Sequence, residues 1–514
     1  MIRRATRDVT LVLAIAAAGC GQIGTLADRY RAERSLWWAQ RAETAANLGG
    51  QKPDSATLLV LREEYLQVGR GIKHPFIRGT SEKARSLGED LMRIVGFADL
   101  QGARLAVQAN RPELALEEMA RVSAAADADT ALRRQADFFR VGTLRQFRRF
   151  DEAIQLLREM LDRYEPMAPK KFGDEDPILT VPEAIVRLRR DMGDSTGAKV
   201  ELAAAQQYYA RLLERGPPPS LEAQVLARLV RVELELAMWK EAAANLERLE
   251  RLVTTTPLLH PLEPEVRFSR AKIRGIRDRN PTPTIAMFDA LAREFPESPY
   301  AARSLFEAGT LLERQGKKAE ALARYRVVTT RYAAQMPVAP MALFRRAMLE
   351  EQIGDWENSK NLLESIPVRY PDTQAAVEAP IAIAQRYVRV GDRNGAILAL
   401  RRAVGTYQAL IARDTTSTYC PLYRSNILRC QLAVDDWAGA LATIDAMAAK
   451  DAGHPFTAQA LLEGGRLAKV HGQKDRARGY LEEFLDNYPK SPLVADVRRE
   501  LAELAGKPPA RARP

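Results

Sequence analysis

Tyr300-Ala-Ala-Arg-Ser-Leu-Phe-Glu-Ala-Gly309 leads through Leu311-Leu312 to a turn at Gln315-Gly316-Lys317-Lys318, and a second apolar run then carries Ala321, Tyr325 and Val328. Two helix-spaced apolar runs on either side of a glycine turn predict a pair of antiparallel helices. The small residues Gly309 and Ala321 let the two helices approach closely, and Tyr325 fills the gap to the next pair.

The unit returns along the chain. Ala347, Gly354-Asp355-Trp356, Ser359, Leu363 and Pro371 form the next copy, followed by Ala384, Gly391-Asp392, Ala396, Leu400 and Ala403. Leu428, Asp435-Asp436-Trp437, Ala440 and Ile444 make another, and Gly465, Gly472, Ala477, Leu481, Phe484 and Pro489 the last. Looser copies place Ala115, Ala153, Ala198 and Ala242 where Ala321 stands, and a degenerate one has Thr284 there and ends at Phe288, Leu291 and Pro296. Successive residues at this position are 37 to 45 apart. The longer intervals coincide with proline-rich connections, where helices must stop. Phe150, Trp239, Trp356 and Trp437 each stand three residues before the small residue, at the start of a second helix, where an aromatic would staple the helix to its turn. Fixed-period self-similarity is the signature of a solenoid.

These residues resemble the tetratricopeptide repeat, with small residues at Gly309, Ala347, Ala384 and Gly465 on first helices, at Ala321, Ala396, Ala440 and Ala477 on second helices, and a closing proline such as Pro489. The resemblance implies an all-α fold, a right-handed superhelical solenoid of antiparallel helix pairs, with first helices lining a concave surface. Carried onto this chain, the family's groove positions fall on Arg187, Arg231, Arg314, Arg389, Arg429 and Arg466, with Phe306 and Phe344 as apolar anchors. Guanidinium groups pair bidentately with carboxylate or phosphate, so such a face would suit an acidic peptide or polymer. Arginines on solvent-facing helix positions are also ordinary in a basic protein, and the phenylalanines would be core if the register shifted by one. The family's carboxylate clamp uses asparagine where this chain has Arg187, Arg231, Arg429 and Arg466, so capture of a peptide C-terminus is not implied.

The chain start has a different character. Arg3, Arg4 and Arg7 precede an apolar stretch from Val9 to Ala18, then Gly19 and Cys20. A basic start, a short apolar run and small residues at the cut read as a secretory signal peptide. The run is short of the roughly 20 residues a transmembrane helix needs. A cysteine directly after Ala18-Gly19 resembles the lipobox of bacterial lipoproteins, which implies lipidation at Cys20 and removal of residues 1–19. The alternative is an ordinary signal peptide with an incidental cysteine. In Gram-negative lipoproteins a glycine after the cysteine, here Gly21, goes with the outer membrane. The organisation expected is a signal peptide at 1–19, a lipidated tether at 20–27, an N-terminal helical cap at 28–100, degenerate repeats at 101–296, well-formed repeats with a C-terminal cap at 297–505, and a disordered tail at 506–514.

Hydrophobic residues make up 46% of the chain and aromatics only 7%, which suits a helical core better than a β-rich one. The net charge of +11 favours acidic partners such as anionic headgroups, cell-wall polymers or acidic proteins. Nucleic acid would match the charge, but an exported lipoprotein does not meet it. The four histidines (His74, His260, His454, His471) form no ligand-spaced pair, and no nucleophile elbow or phosphate-binding loop occurs. No metal, cofactor or catalytic residue is assigned. Cys420 and Cys430, ten residues apart mostly on one expected helix, stand too far apart for a disulfide unless that helix starts late.

Phe295-Pro-Glu-Ser-Pro-Tyr300 and Tyr488-Pro-Lys-Ser-Pro492 resemble the phrase before repeats in β-barrel assembly lipoproteins of the BamD type and in periplasmic partners of the Tol-Pal system. The expectation is a non-catalytic, lipid-anchored scaffold that gathers envelope proteins. Two alternatives stay open: exopolysaccharide export or acidic-polymer binding through a basic groove, and, more remotely, a cell-wall enzyme with a repeat superhelix as substrate guide.

Overall fold

The computed structural model describes residues 26–48, 53–70, 82–124, 130–167, 176–278 and 280–505. The signal segment, Cys20 and the tail lie outside them. The described residues form α-helices, two short 3-10 turns at Pro177–Thr180 and Pro257–Leu262, and no strand. The fold is an all-α solenoid of helix pairs.

One turn geometry sets the repeat. At Asn110, Arg148, Gly193, Ala237, Gly316, Gly354, Gly391, Asp435 and Gly472 the backbone swings to φ between 58° and 95°. The next N–H donates to the carbonyl five residues back each time, as from Lys317 to Leu312 (3.0 Å) and from Asp355 to Glu350 (2.9 Å). This is the Schellman closure of a helix end, and it needs a left-handed residue that glycine supplies at least cost. Five residues beyond each turn stands Ala115, Ala153, Ala198, Ala242, Ala321, Ser359, Ala396, Ala440 or Ala477, every one buried. Thr284 is buried too, but the connection to it from the helix Glu263–Arg277 has no left-handed residue among those described.

Several second helices start on a capping aspartate: Asp194, Asp355, Asp392 and Asp436 accept from the N–H of Gly197, Asn358, Gly395 and Gly439 at 2.7 to 3.1 Å. Two of the tryptophans that follow reach across to the next repeat. Trp356 meets Tyr387 edge-on at 5.7 Å and Trp437 stacks on His471 at 4.3 Å. Both partners belong to the next repeat, so these rings tie one pair to its successor.

Two of the long intervals are made of helix. Second helices Lys318–Arg331, Trp356–Arg369, Trp437–Lys450 and Lys474–Asn487 have 14 residues, but Ser195–Glu214 has 20 and Arg393–Arg413 has 21. The added turns carry Tyr209 and Tyr407, which are fully buried and donate to the carbonyls of Leu179 (2.6 Å) and Val377 (2.5 Å). Tyrosines also lock repeats together at the ends of shorter second helices. Tyr332 donates to the Pro296 carbonyl (3.0 Å) and Tyr370 to that of Ala333 (2.8 Å), while the Tyr488 hydroxyl accepts from Gly453 N–H (2.9 Å).

The chain forms two compact units that divide between Glu165 and Pro166. The first comprises a helix over 26–47 and the helices Ser55–Arg70, Glu82–Gln108, Pro112–Ala124, Thr130–Gln146 and Phe150–Arg163. The division placed at 100 falls inside Glu82–Gln108, whose continuity carries the cap into the first repeat. The second unit runs from Val181–Asp191 to Val494–Leu504. Within it every helix packs on its sequence neighbours, and from Pro219–Glu235 onward each first helix also touches the next first helix. No second helix approaches the next second helix so closely, so the first helices form the inner wall. Cys420 and Cys430 are buried and unbridged on the helix Cys420–Ala433, and burial pushes the Cys430 thiol up to about 11.

Candidate binding groove

The inner wall of the second unit is stitched by ion pairs one repeat apart. Arg231, on Pro219–Glu235, bonds Glu183 (3.2 Å) on the preceding first helix and Glu265 (2.8 Å) on the following one. Lys272 meets Glu307 (2.8 Å), and Arg345 meets Glu313 (3.4 Å). Arg386 and Arg389 converge on Glu351 (3.1 and 2.7 Å). At the C-terminal end Arg466 and Lys469 share Glu500 (3.0 and 3.1 Å). Burial by itself would lower the Arg231 guanidinium, but Glu265 and Glu183 hold it charged, above its ordinary value. Burial would raise Glu500, yet hydrogen bonds from Arg466 and Lys469 keep its carboxyl below the usual range.

Three of the six arginines assigned to the groove, Arg231, Arg389 and Arg466, are therefore neutralised by glutamates of the wall itself. Arg187, Arg314 and Arg429 make no ion pair among the described residues; Arg429 bonds only Asn426 (3.3 Å). Phe306 and Phe344 sit half-buried against the cores, Phe306 at 5.7 Å from the Tyr325 ring, instead of standing free in the groove. The small residues occupy the close approaches: a Cβ on Gly309 would lie 2.6 Å from Tyr325 and one on Gly465 2.6 Å from Leu481, while Ala347 and Ala384 are buried. Pro489 follows Tyr488, at the end of the last second helix.

The ladder is interrupted at Cys420–Ala433. Arg424 on this helix turns to Asp451 at 2.7 Å, beyond the C-terminus of the helix Trp437–Lys450, and among the described residues no inner-wall ion pair joins the helix to its neighbours. What it shows instead is unpaired Arg429 and exposed Leu432, between exposed Val388 and Val470 at the corresponding ends of the adjacent first helices. A guanidinium without a carboxylate partner, flanked by aliphatic side chains, can take a carboxylate and apolar groups from another molecule. The glutamates were the residues the cation-centred sequence reading passed over. Their signal is present there as opposite charges 32 to 38 residues apart, as in Arg345–Glu313, Arg231–Glu265, Arg466–Glu500 and Arg389–Glu351.

On the outer side a cleft of about 420 Å³ lies between the second helices Trp356–Arg369 and Arg393–Arg413, lined by Pro367, Pro380, Ile383 and Leu398. Among the described residues no group of three or more histidine, cysteine or carboxylate side chains could hold a metal ion, and no helix is long and apolar enough to cross a membrane.

Two segments match family models of the tetratricopeptide repeat, residues 306–359 and 457–491. No curated protein is significantly similar in sequence. Solved structures similar to this chain include yeast Tom70, at 12% identity and a TM-score of 0.36, covering 94% of this chain and 95% of that one. Another is the human IFIT1 dimer with m7Gppp-AAAA, at 12% identity and a TM-score of 0.31, covering 72% and 80%. The two matched segments are tetratricopeptide repeats, a fold that serves as a protein-interaction scaffold.

Proposed function

We propose that the chain is a lipid-anchored scaffold of the bacterial cell envelope, facing the periplasm and seated on the outer membrane of a Gram-negative cell. It gathers envelope proteins, such as those of outer-membrane or envelope-complex assembly, on the inner wall of its second unit. The observation that carries this reading is the gap in the ion-pair ladder, where Arg429 and Leu432 are left to an outside partner. Anchorage rests on the basic start, the Val9–Ala18 run and Cys20. Binding of acidic polymer draws less support, because wall glutamates already occupy Arg231, Arg389 and Arg466.

The test uses the full chain in cells. Arg429→Glu with Leu432→Asp removes a copurifying envelope protein and leaves the membrane-bound fraction unchanged, whereas Cys20→Ser releases the protein from membranes. Retention of the partner by the double variant refutes the groove, and continued membrane association of Cys20→Ser refutes the anchor.

A further inference from the structure

The first helix, over residues 26–47, has an outward face that none of the described residues covers. Leu26, Tyr30, Trp37 and Trp38, with Leu48 just past its end, are 51, 64, 50, 51 and 80% exposed. At 3.6 residues per turn, positions 26, 30, 34, 37, 41 and 48 fall on one stripe with Trp38 at its margin. The other side of the helix packs Ala32 and Ala39 into a core with Leu58, Leu61 and Tyr65. Trp37 and Trp38 meet edge-on at 4.6 Å, and the Arg41 guanidinium lies over both rings at 5.2 and 5.9 Å. Arg34, on the same stripe, makes no ion pair among the described residues. Tryptophan and tyrosine concentrate at the headgroup level of membranes, and helices with an aromatic-aliphatic face edged by arginine lie in that interface.

We propose that this face docks on a lipid bilayer bearing anionic headgroups, with Trp37, Trp38 and Tyr30 at headgroup depth and Arg34 and Arg41 on the lipid phosphates. Two observations select a bilayer as the occupant. The stripe joins interfacial aromatics to the positive charge of Arg34 and Arg41, which an anionic surface complements, while the acid beside them, Glu33, is paired with Arg29 (2.8 Å). Only six peptide steps separate Cys20 from Leu26, a reach of about 20 Å at full extension. A lipidated Cys20 would hold this helix at the membrane surface. The inference deepens the anchor reading and rests on it.

The test is depth-dependent fluorescence quenching of the full-length Cys20→Ser chain by vesicles of phosphatidylcholine and phosphatidylglycerol brominated near the headgroup. Trp37 and Trp38 are two of five tryptophans, so up to about two fifths of the emission is quenched, and none in the same chain with Trp37→Ala and Trp38→Ala. Arg34→Ala with Arg41→Ala weakens binding to the anionic vesicles by roughly fivefold per arginine. Binding through the apolar 9–18 run alone would leave both rings unquenched, and that result overturns the proposal. Burial of the two rings by a second copy, seen as concentration-dependent sedimentation without vesicles, or by a protein partner overturns it as well. Release of Cys20→Ser from cell membranes is read separately, so a failed anchor is told apart from a failed docking face.

Discussion

Replacing Gly309 by alanine should destabilise the protein, whereas the same replacement at Gly405 should stabilise it. Both glycines lie inside helices, Pro299–Arg314 and Arg393–Arg413, where alanine is preferred by about 1 kcal/mol. At Gly405 the new methyl meets nothing within 4 Å, so that gain is realised. At Gly309 it would stand 2.6 Å from Cε1 of Tyr325, below any real contact distance. The ring cannot swing away freely, because it is fully buried and its hydroxyl is bonded to Glu313 (3.0 Å). Overpacking of this kind costs about 1–3 kcal/mol, so after the helix gain Gly309→Ala is expected to lose up to about 2 kcal/mol. Urea denaturation followed by circular dichroism reads both, as a midpoint shift at constant slope. A double-mutant cycle with Tyr325→Leu locates the cause, since Gly309→Ala should cost little once the ring is gone. Equal stabilisation by Gly309→Ala and Gly405→Ala would show that Tyr325 does not lie over Gly309, and the pairing of first and second helices would have to be redrawn.

Three further outcomes follow from the same contacts. Ala237, forced to φ 58° at a repeat turn, gains up to about 1 kcal/mol as Ala237→Gly in the same assay, although alanine is normally the stabler choice. The Ser359 hydroxyl is buried without a hydrogen-bond partner at a position where most repeats have alanine, so Ser359→Ala stabilises the protein by about 1 kcal/mol, read as a higher denaturation midpoint. Burial pushes the Glu118 carboxyl up to about 7, with Arg62 opposing the shift and Asp99 adding to it. The folded state then holds a proton that the unfolded chain releases near the ordinary carboxylate value, so stability falls as pH rises from about 4.5 to 7 and is level above, by about 3 kcal/mol. Glu118→Gln removes that fall, which melting temperatures of both proteins at pH 5 and pH 8 will show.

The solenoid was legible because its turns are written in local chemistry. Gly316, Gly354, Gly391 and Gly472 mark left-handed residues directly, and the small residue five positions on marks the helix approach. Arg148, Ala237 and Asp435 adopt the same turn without glycine, which only the periodicity could suggest. Other features were hidden because they depend on which side of a helix faces its neighbour. Sequence spacing placed Arg231, Arg389 and Arg466 on the inner wall but did not place Glu265, Glu351 and Glu500 against them, so a paired ladder read as a basic groove. The long helix Arg393–Arg413 was hidden in the same way: its length shows in the interval after Ala396, but an interval does not distinguish helix from loop.

The central claim is that recognition takes place on the inner wall where the ladder is broken. Photo-crosslinking residues placed one at a time at Val388 and Leu432 on first helices, and at Val327 and Leu398 on second helices, test it in living cells, since all four side chains are exposed. Adducts to one and the same envelope protein from Val388 and Leu432, and none from Val327 and Leu398, are the expected result. Adducts from the second helices alone would place recognition on the outer side and contradict the claim.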